Sequence, residues 1–113
     1  TKLTYLDVDT NTLTGTVPTE LALLTDLHTL YAQMNMLSGT LPTELGLLTK
    51  LTYLAFDTNT LTGIVPTELC QLTFLLELRL YTNALRGTLP TYLANLTNLK
   101  YLYMLDNKLT GPI

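Results

Sequence analysis

The chain has 113 residues and a formal net charge of −3, from six Lys and Arg against nine Asp and Glu. Charged residues make up 13% of it, which excludes a strongly basic nucleic-acid binder and a polybasic membrane anchor. No apolar run approaches the roughly 18 residues of a membrane-spanning helix, and no signal-peptide pattern opens the sequence at Thr1.

The main feature of the sequence is an internal repeat that recurs at a constant spacing without insertions. We therefore predict a single repeat array over 1–113, with a truncated last unit. The units start at Leu3, Leu27, Leu51, Leu75 and Leu99.

The first predicted element of each unit is a short strand. Leu3, Leu6 and Val8 give an apolar alternation with a period of two, which is typical of a half-buried strand. One strand per unit makes a parallel sheet with neighbours about 4.8 Å apart. The residues between the leucines then point away from the core.

An asparagine follows each predicted strand. Its amide can donate and accept hydrogen bonds, so we predict that it satisfies backbone groups where the chain turns. These five structural residues are Asn11, Asn35, Asn59, Asn83 and Asn107.

Asp7, Asp9 and Asn11 also alternate as in a calcium-binding EF-hand loop. Such a loop needs a glycine at its sixth position and a glutamate at its twelfth. Thr12 and Pro18 occupy those places, which excludes an EF-hand.

A second strand and a helical turn are predicted later in each unit. The segment around Leu-Thr-Gly or Leu-Ser-Gly leads to a residue before proline, which is kept out of the helical region. The proline then suits the first position of a helical turn on the convex side. The residues before proline are Val17, Leu41, Val65 and Leu89.

Each unit follows the pattern L-x-x-L-x-L-x-x-N-x-L-x-G-x-[VIL]-P-x-x-L-x-x-L-x-x, most completely over 51–73. In this pattern the chain resembles the plant-type leucine-rich repeat family. The resemblance implies an α/β repeat solenoid, a right-handed superhelix with a parallel β-sheet on the concave face and short helical turns on the convex face. It also implies a segment of an ectodomain similar to those of receptor-like kinases, receptor-like proteins or polygalacturonase inhibitors.

The resemblance further implies that ligands are recognised by outward residues of the concave sheet, at the third, fifth, seventh and eighth places of each unit. Six of the seven tyrosines fall there. Tyrosine is favoured at interfaces, although it also suits strands in general. The candidate ligand-binding residues are Tyr5, Asp7, Asp9, Tyr31, Gln33, Tyr53, Asp57, Glu77, Arg79, Tyr81, Tyr101 and Tyr103.

Charge is uneven along the array. Residues 1–57 carry two Lys and six acidic groups, for a net −4, whereas residues 58–113 carry four basic and three acidic groups, for a net +1. On the concave face Asp7, Asp9 and Asp57 oppose Arg79, so we expect a basic part of a partner to lie toward the first units.

The sequence predicts no catalytic, cofactor or metal site. His28 is the only histidine, so a zinc site lacks a second imidazole, and Ser38, the only serine, stands in the column of Thr14 and Thr62, so we expect no catalytic triad. The Asp7 and Asp9 carboxylates have no evident apolar pocket to separate their pKa values. Cys70 is alone and cannot form an internal disulfide; its equivalents Ala22, Gly46 and Ala94 indicate a slot for small residues.

The ends and one sequon bear on the context of the chain. Thr1-Lys2 matches the tail of a preceding unit, and the chain stops within the fifth unit, so we expect neighbouring repeats of a longer parent protein at both ends. Asn95-Leu96-Thr97 is a possible N-glycosylation site. It favours an extracellular or cell-surface location, with an intracellular one still open.

The leading functional hypothesis is a protein- or peptide-binding module without nucleic-acid or direct membrane contact. One alternative is a surface-active array that orders water or ice through threonine columns: Thr19, Thr43, Thr67 and Thr91, and Thr16, Thr40 and Thr88 with Ile64 interrupting. Another is an engineered or intracellular scaffold, suggested by the similarity of VPTELALLTDLHTL and LPTELGLLTKLTYL.

Overall fold

The computed structural model describes residues 2–110 as a stack of coils that share a five-stranded parallel sheet. Thr1 and residues 111–113, and with them the predicted truncation of the fifth unit, lie outside the described residues. The sheet has the order β1-β3-β5-β7-β9. Its strands are β1 (Tyr5–Asp7), β3 (Thr29–Tyr31), β5 (Tyr53–Ala55), β7 (Glu77–Arg79) and β9 (Tyr101–Tyr103).

The register of this concave sheet follows the sequence repeat. Leu6 pairs with Leu30, Leu30 with Leu54 and Leu54 with Leu78, so each residue lies beside its equivalent in the next unit. The predicted leucine-rich repeat solenoid, with its parallel concave sheet, is confirmed.

A second set of short strands lies in the following part of each coil, as predicted. One sheet has the order β2-β4-β6, and a separate pair is formed by β8 and β10. The strands are β2 (Thr14–Thr16), β4 (Met36–Thr40), β6 (Thr60–Thr62), β8 (Arg86–Thr88) and β10 (Lys108–Thr110).

The register of these second strands differs from that of the concave sheet. Thr16 pairs with Ser38 and Thr40 with Thr62, so each partner lies two positions before the repeat equivalent. Equivalent threonines of successive units, such as Thr16 and Thr40, are therefore not direct partners across these strands.

The convex turns are short 3₁₀-helices: Thr19–Leu23, Thr43–Leu47, Thr67–Gln71 and Thr91–Asn95, here η1 to η4. The expectation that proline occupies the first helical position is wrong. Pro66, for example, has φ −64° and ψ 136° and forms the extended residue before η3. Its fixed φ suits both conformations, and its carbonyl accepts a hydrogen bond from Leu69 N–H at 3.2 Å.

The core is a stack of leucine layers between the sheet and the convex turns. Leu54 and Leu78 are 1% and 0% exposed. Phe56, the one aromatic residue in a leucine place of that unit, is 0% exposed and fits the same core. Burial falls toward the ends, where Leu3 and Leu102 are 38% and 40% exposed. Since each coil buries its leucines against its neighbours, inner coils are the better stabilised.

The asparagines form the predicted ladder along one edge of the sheet. The Asn59 amide donates to the carbonyls of Ala32, Phe56 and Asp57 at 3.0–3.3 Å, and its Oδ1 accepts from Leu37 N–H at 3.0 Å. The side chain thus joins its own coil to the preceding one.

The same hydrogen bonds surround one residue in each turn that has a left-handed backbone conformation. Thr58, immediately before Asn59, has φ +56°, and the equivalent residues have φ from 51° to 58°. This conformation costs a non-glycine residue roughly 1–2 kcal/mol. The asparagine stabilises the turn by holding carbonyls two and three residues upstream.

Glycines allow two close approaches between coils. A Cβ on Gly46 in η2 would lie 2.5 Å from the backbone oxygen of Glu68 in η3. A Cβ on Gly63 would lie 2.7 Å from the Cγ2 methyl of Thr40, and Gly63 has φ +79°. Cys70, in the column of Gly46, is a half-buried free thiol in η3, consistent with the predicted slot for small residues.

We expect Asn59→Ala to destabilise the protein by about 1–3 kcal/mol, because it leaves buried backbone groups without partners. Asn11→Ala is the matched control, since the exposed Asn11 amide donates only within its own unit, to Val8 and Asp9. Urea unfolding followed by circular dichroism should show a clearly larger loss for Asn59→Ala. Equal losses would contradict the role of the ladder between coils.

We expect Gly63→Ala to destabilise more than Gly15→Ala. Both glycines have positive φ, but a Cβ on Gly15 meets nothing within 4 Å. Gly63→Ala should therefore add overpacking of about 1–3 kcal/mol to the shared backbone strain. Thr40→Ser removes the opposing methyl, so a double-mutant cycle measured by urea unfolding should show coupling between the two sites. Additive effects would exclude this contact as the cause.

Candidate ligand-binding face

The concave sheet displays three rows of side chains. Residues at the third and fifth places of each unit lie on the strands, and those at the seventh place follow directly. The eighth place is the left-handed turn, a feature that the repeat pattern did not indicate. Because the strand register matches the repeat, each row places equivalent residues of successive units side by side.

The tyrosines of this face point outward. Tyr5, Tyr101 and Tyr103 are 55%, 54% and 42% exposed, and Tyr53 is 36% exposed. Tyr31 and Tyr81 are half-buried. All six remain on the surface of the sheet, as the repeat alignment predicted.

Five of these tyrosines also contact one another. Tyr5 and Tyr31 meet edge to face with ring centroids 6.0 Å apart, and Tyr81 and Tyr103 do so at 6.3 Å. Tyr101 and Tyr103 are parallel, with centroids also 6.3 Å apart. Such pairs hold rings in fixed orientations, so the face presents ordered aromatic surface.

An apolar depression lies at the end of the sheet formed by the last two units. It has a volume of about 300 Å³ and is lined by Arg79, Tyr81, Tyr103 and Leu105. The Arg79 guanidinium carbon lies 5.8 Å from the centroid of the Tyr103 ring. Leu105, which is 83% exposed, was not predicted to bind a ligand, although its position at the seventh place of its unit could have indicated this role.

Four outward places differ from the expected exposed surface. Thr29, Ala55, Asp57 and Glu77 are only 8%, 1%, 2% and 8% exposed. Asp57 and Glu77 were predicted as ligand contacts on an open surface, and the structure instead buries them among larger neighbours. Arg79 Nε donates to Glu77 Oε2 at 2.7 Å, which explains how that carboxylate is tolerated.

The two carboxylates of the first unit interact through a local hydrogen bond. Asp9 N–H donates to Asp7 Oδ1 at 3.0 Å, which lowers the pKa of Asp7. The pKa of Asp9 is raised, chiefly through its interaction with the Asp7 side chain. Their pKa values therefore diverge, contrary to the sequence expectation, and the cause is hydrogen bonding between near neighbours rather than an apolar pocket.

A larger depression lies outside the concave rows, at the edge where the strands begin. Its volume is about 650 Å³, and its lining includes His28, Lys50, Phe74 and Leu76. Lys50 Nζ lies 2.6 Å from Asp26 Oδ1, and this ion pair lowers the pKa of Asp26. Phe74 is exposed at this edge and adds apolar surface to it.

The predicted glycosylation site lies outside the concave face. Asn95 is exposed at the end of η4, away from the concave rows. Within residues 2–110, no three His, Cys, Asp or Glu side chains are arranged to hold a metal ion. Over the same residues, no helix is long and apolar enough to cross a membrane.

Comparison with known proteins agrees with the repeat and the fold. The sequence model of the Leucine Rich Repeat family matches residues 2–24. No curated protein sequence is significantly similar to the chain.

Several solved structures are similar to nearly the whole of this chain. The ectodomain of the Arabidopsis thaliana receptor kinase GASSHO1/SCHENGEN3, in complex with CASPARIAN STRIP INTEGRITY FACTOR 2, is 36% identical over 97% of this chain, with a TM-score of 0.95. The Arabidopsis receptor kinase HAESA, bound to an IDA peptide hormone, is 32% identical over 98%, with a TM-score of 0.95. A plant ice-binding protein is 36% identical over 96%, with a TM-score of 0.90.

The chain spans only part of each of these proteins, namely 13% of GASSHO1/SCHENGEN3, 19% of HAESA and 36% of the ice-binding protein. The matches nevertheless include nearly all of this chain. The repeat motif, the solenoid and these similarities together show that the chain belongs to the leucine-rich repeat family and has the fold of plant receptor kinase ectodomains.

Proposed function

We propose that this chain is a protein- or peptide-binding module whose ligand lies on the concave sheet. The observation that carries the proposal is the set of six outward tyrosines, most of them in mutual contact, beside an apolar depression. Large, oriented aromatic rings supply much of the binding energy of protein interfaces at low entropy cost. Similar receptor ectodomains solved with peptide hormones support this assignment.

The size of the face fits such a ligand. The twenty outward places of the five units approach the roughly 20–30 residues per side of a standard protein interface. An extended peptide that runs across the strands would contact several units in turn. The buried Thr29 and Ala55 reduce the usable surface and make it uneven, so the tyrosines stand out as the main contacts.

We further propose that the module belongs to an extracellular or cell-surface protein and does not itself catalyse a reaction. Support for the location comes from the receptor ectodomains with which the chain shares its fold. The exposed Asn95 on the convex side would carry a glycan without obstructing the concave face. Leucines exposed in the first and last coils would be covered by neighbouring repeats in a longer array.

Charge complementarity would orient the ligand. Asp7 and Asp9 lie at the β1 end of the face, and Arg79 lies on β7. Asp57, predicted as a third surface charge, is 2% exposed and is not part of this open acidic patch. A basic segment of the ligand would therefore lie toward the first coil.

The proposal predicts that binding depends on the concave tyrosines. Peptides selected from a random phage-displayed library on the wild-type protein should lose at least about tenfold in affinity for the variant Tyr31→Ala/Tyr53→Ala/Tyr103→Ala, because each truncation removes an aromatic contact. Tyr92→Ala is the matched control, since Tyr92 is 48% exposed on η4 of the convex side. Isothermal titration calorimetry would compare the proteins.

Two results would contradict the proposed site. If the library yielded no peptide that binds the wild-type protein, the peptide-binding function itself would be wrong. If the selected peptides bound the triple variant as tightly as Tyr92→Ala, the ligand would lie on another surface.

A second candidate function is ice binding, which is favoured by the similarity to a plant ice-binding protein. The threonine columns offer exposed hydroxyls, but neighbouring threonines have structural contacts. Thr60 Oγ1 donates to Leu37 O at 2.8 Å, and the Thr40 methyl packs toward Gly63. Ile64 continues the Thr40 column with its Cγ2 methyl toward Gly87, which indicates that the methyl group matters there.

We therefore expect the purified protein to show no thermal hysteresis beyond that of an equal concentration of a protein without ice affinity. Nanolitre osmometry measures this directly, and Thr16→Lys/Thr40→Lys would serve as the matched variant of the threonine column. Hysteresis in the wild-type protein that disappears in this variant would favour the ice-binding function instead.

A further inference from the structure

Two neighbouring side chains at the centre of the concave face each carry a buried oxygen without a hydrogen bond. Asp57 is 2% exposed, and among residues 2–110 nothing forms a hydrogen bond to its Oδ1. Buried Oε1 of Gln33 likewise has no partner within those residues. Nearly all buried polar atoms in native proteins are satisfied, so two such atoms in one row point to a function.

The two oxygens belong to adjacent coils. Both residues occupy the seventh place of their units, two positions beyond the pair Tyr31 and Ala55. The backbone ladder continues to this point, because Met34 N–H donates to Asp57 O at 2.9 Å. A carboxylate and an amide oxygen both accept hydrogen bonds. Among residues 2–110 neither oxygen has a donor, so a group that only donates hydrogen bonds would satisfy both.

The fifth-place row beside the pair contains one short side chain. Ala55 stands directly between Tyr31 and Arg79 in the fifth-place row and is 1% exposed. Asp57 is the next residue on the same face of that chain segment. The alanine side chain is much shorter than the tyrosine and arginine side chains on either side of it.

The local charge is also unbalanced. Glu77 is paired with Arg79, whose pKa is raised first by this hydrogen bond and further by the charge of Asp57. Tyr81 contributes only a neutral hydroxyl, and its interaction with the Asp57 carboxylate raises the pKa of Tyr81. Two carboxylates thus face one guanidinium, which leaves one negative charge without a cation of its own.

We propose that Asp57 and Gln33 form a subsite for a positively charged side chain, lysine or arginine, of a peptide bound on the concave face. The inference rests on the proposed function and specifies part of its ligand. Ammonium and guanidinium groups offer only donors, and their bonds to a carboxylate are stronger than neutral ones. The half-buried Gln33 side chain has three rotatable bonds and would turn aside to admit the ligand.

The first test uses the protein without ligand. Asp57→Asn removes the uncompensated charge and supplies an amide that can donate to Gln33 Oε1. We expect a higher midpoint of urea unfolding than in the wild-type protein, as is common when a polar binding residue is neutralised. A lower midpoint would overturn the proposal, because the carboxylate would then be a structural group.

The second test uses peptides selected on the wild-type protein from the random library. We expect them to share one lysine or arginine, and replacing it by norleucine or citrulline should weaken binding about tenfold or more. Asp57→Asn should cause a similar loss for the basic peptide and little for its neutral analogue. Asp106→Asn is the matched control on the same face; its carboxylate is exposed, and its effect should remain within about twofold.

The outcomes separate this inference from the proposed function. Peptides that depend on the concave tyrosines but share no basic residue, or that bind Asp57→Asn and wild type equally, would overturn the subsite alone. A water bridge between Asp57 and Gln33 would give this second result. If no peptide bound, both proposals would be wrong.

Discussion

The asparagine amide that bridges consecutive coils is the interaction on which the rest of the structure depends. In the second to fifth units it donates to a carbonyl 27 residues earlier and accepts from a backbone N–H 22 residues earlier. It also holds the left-handed residue that precedes it, a conformation unfavourable for threonine, methionine or aspartate. Each coil is therefore positioned on the preceding one before any ligand contact is considered.

This fixed stacking explains why side chains on the concave face act in rows. Since the strands pair unit to unit, an outward residue meets its equivalents in both adjacent coils at about 4.8 Å. The exposure of one side chain is then decided by its row neighbours. Arg79 beside Ala55 pairs with Glu77, whereas Tyr101 beside Glu77 remains open to solvent.

The sequence predicted the features that recur and missed those that depend on neighbours. The leucine layers, the asparagine ladder and the concave sheet could be predicted because each appears in every unit. The burial of Asp57 and Glu77 could not, since it follows from Ala55, Arg79 and Tyr81 in other positions of the rows. The offset register of the second strands also escaped prediction, because the repeat alone implied that equivalent residues would pair.

In a repeat array, departures from the repeat carry most of the functional information. A place that must stabilise the coil is filled alike in every unit, so selection for packing produces columns such as the leucines. The seventh-place row instead reads Asp9, Gln33, Asp57, Tyr81 and Leu105. Packing alone gives no reason to bury an acid in the middle of that row, where an apolar residue would cost less free energy. Recognition of a cation gives such a reason, because the ligand's charge would offset the desolvation free energy of the buried carboxylate.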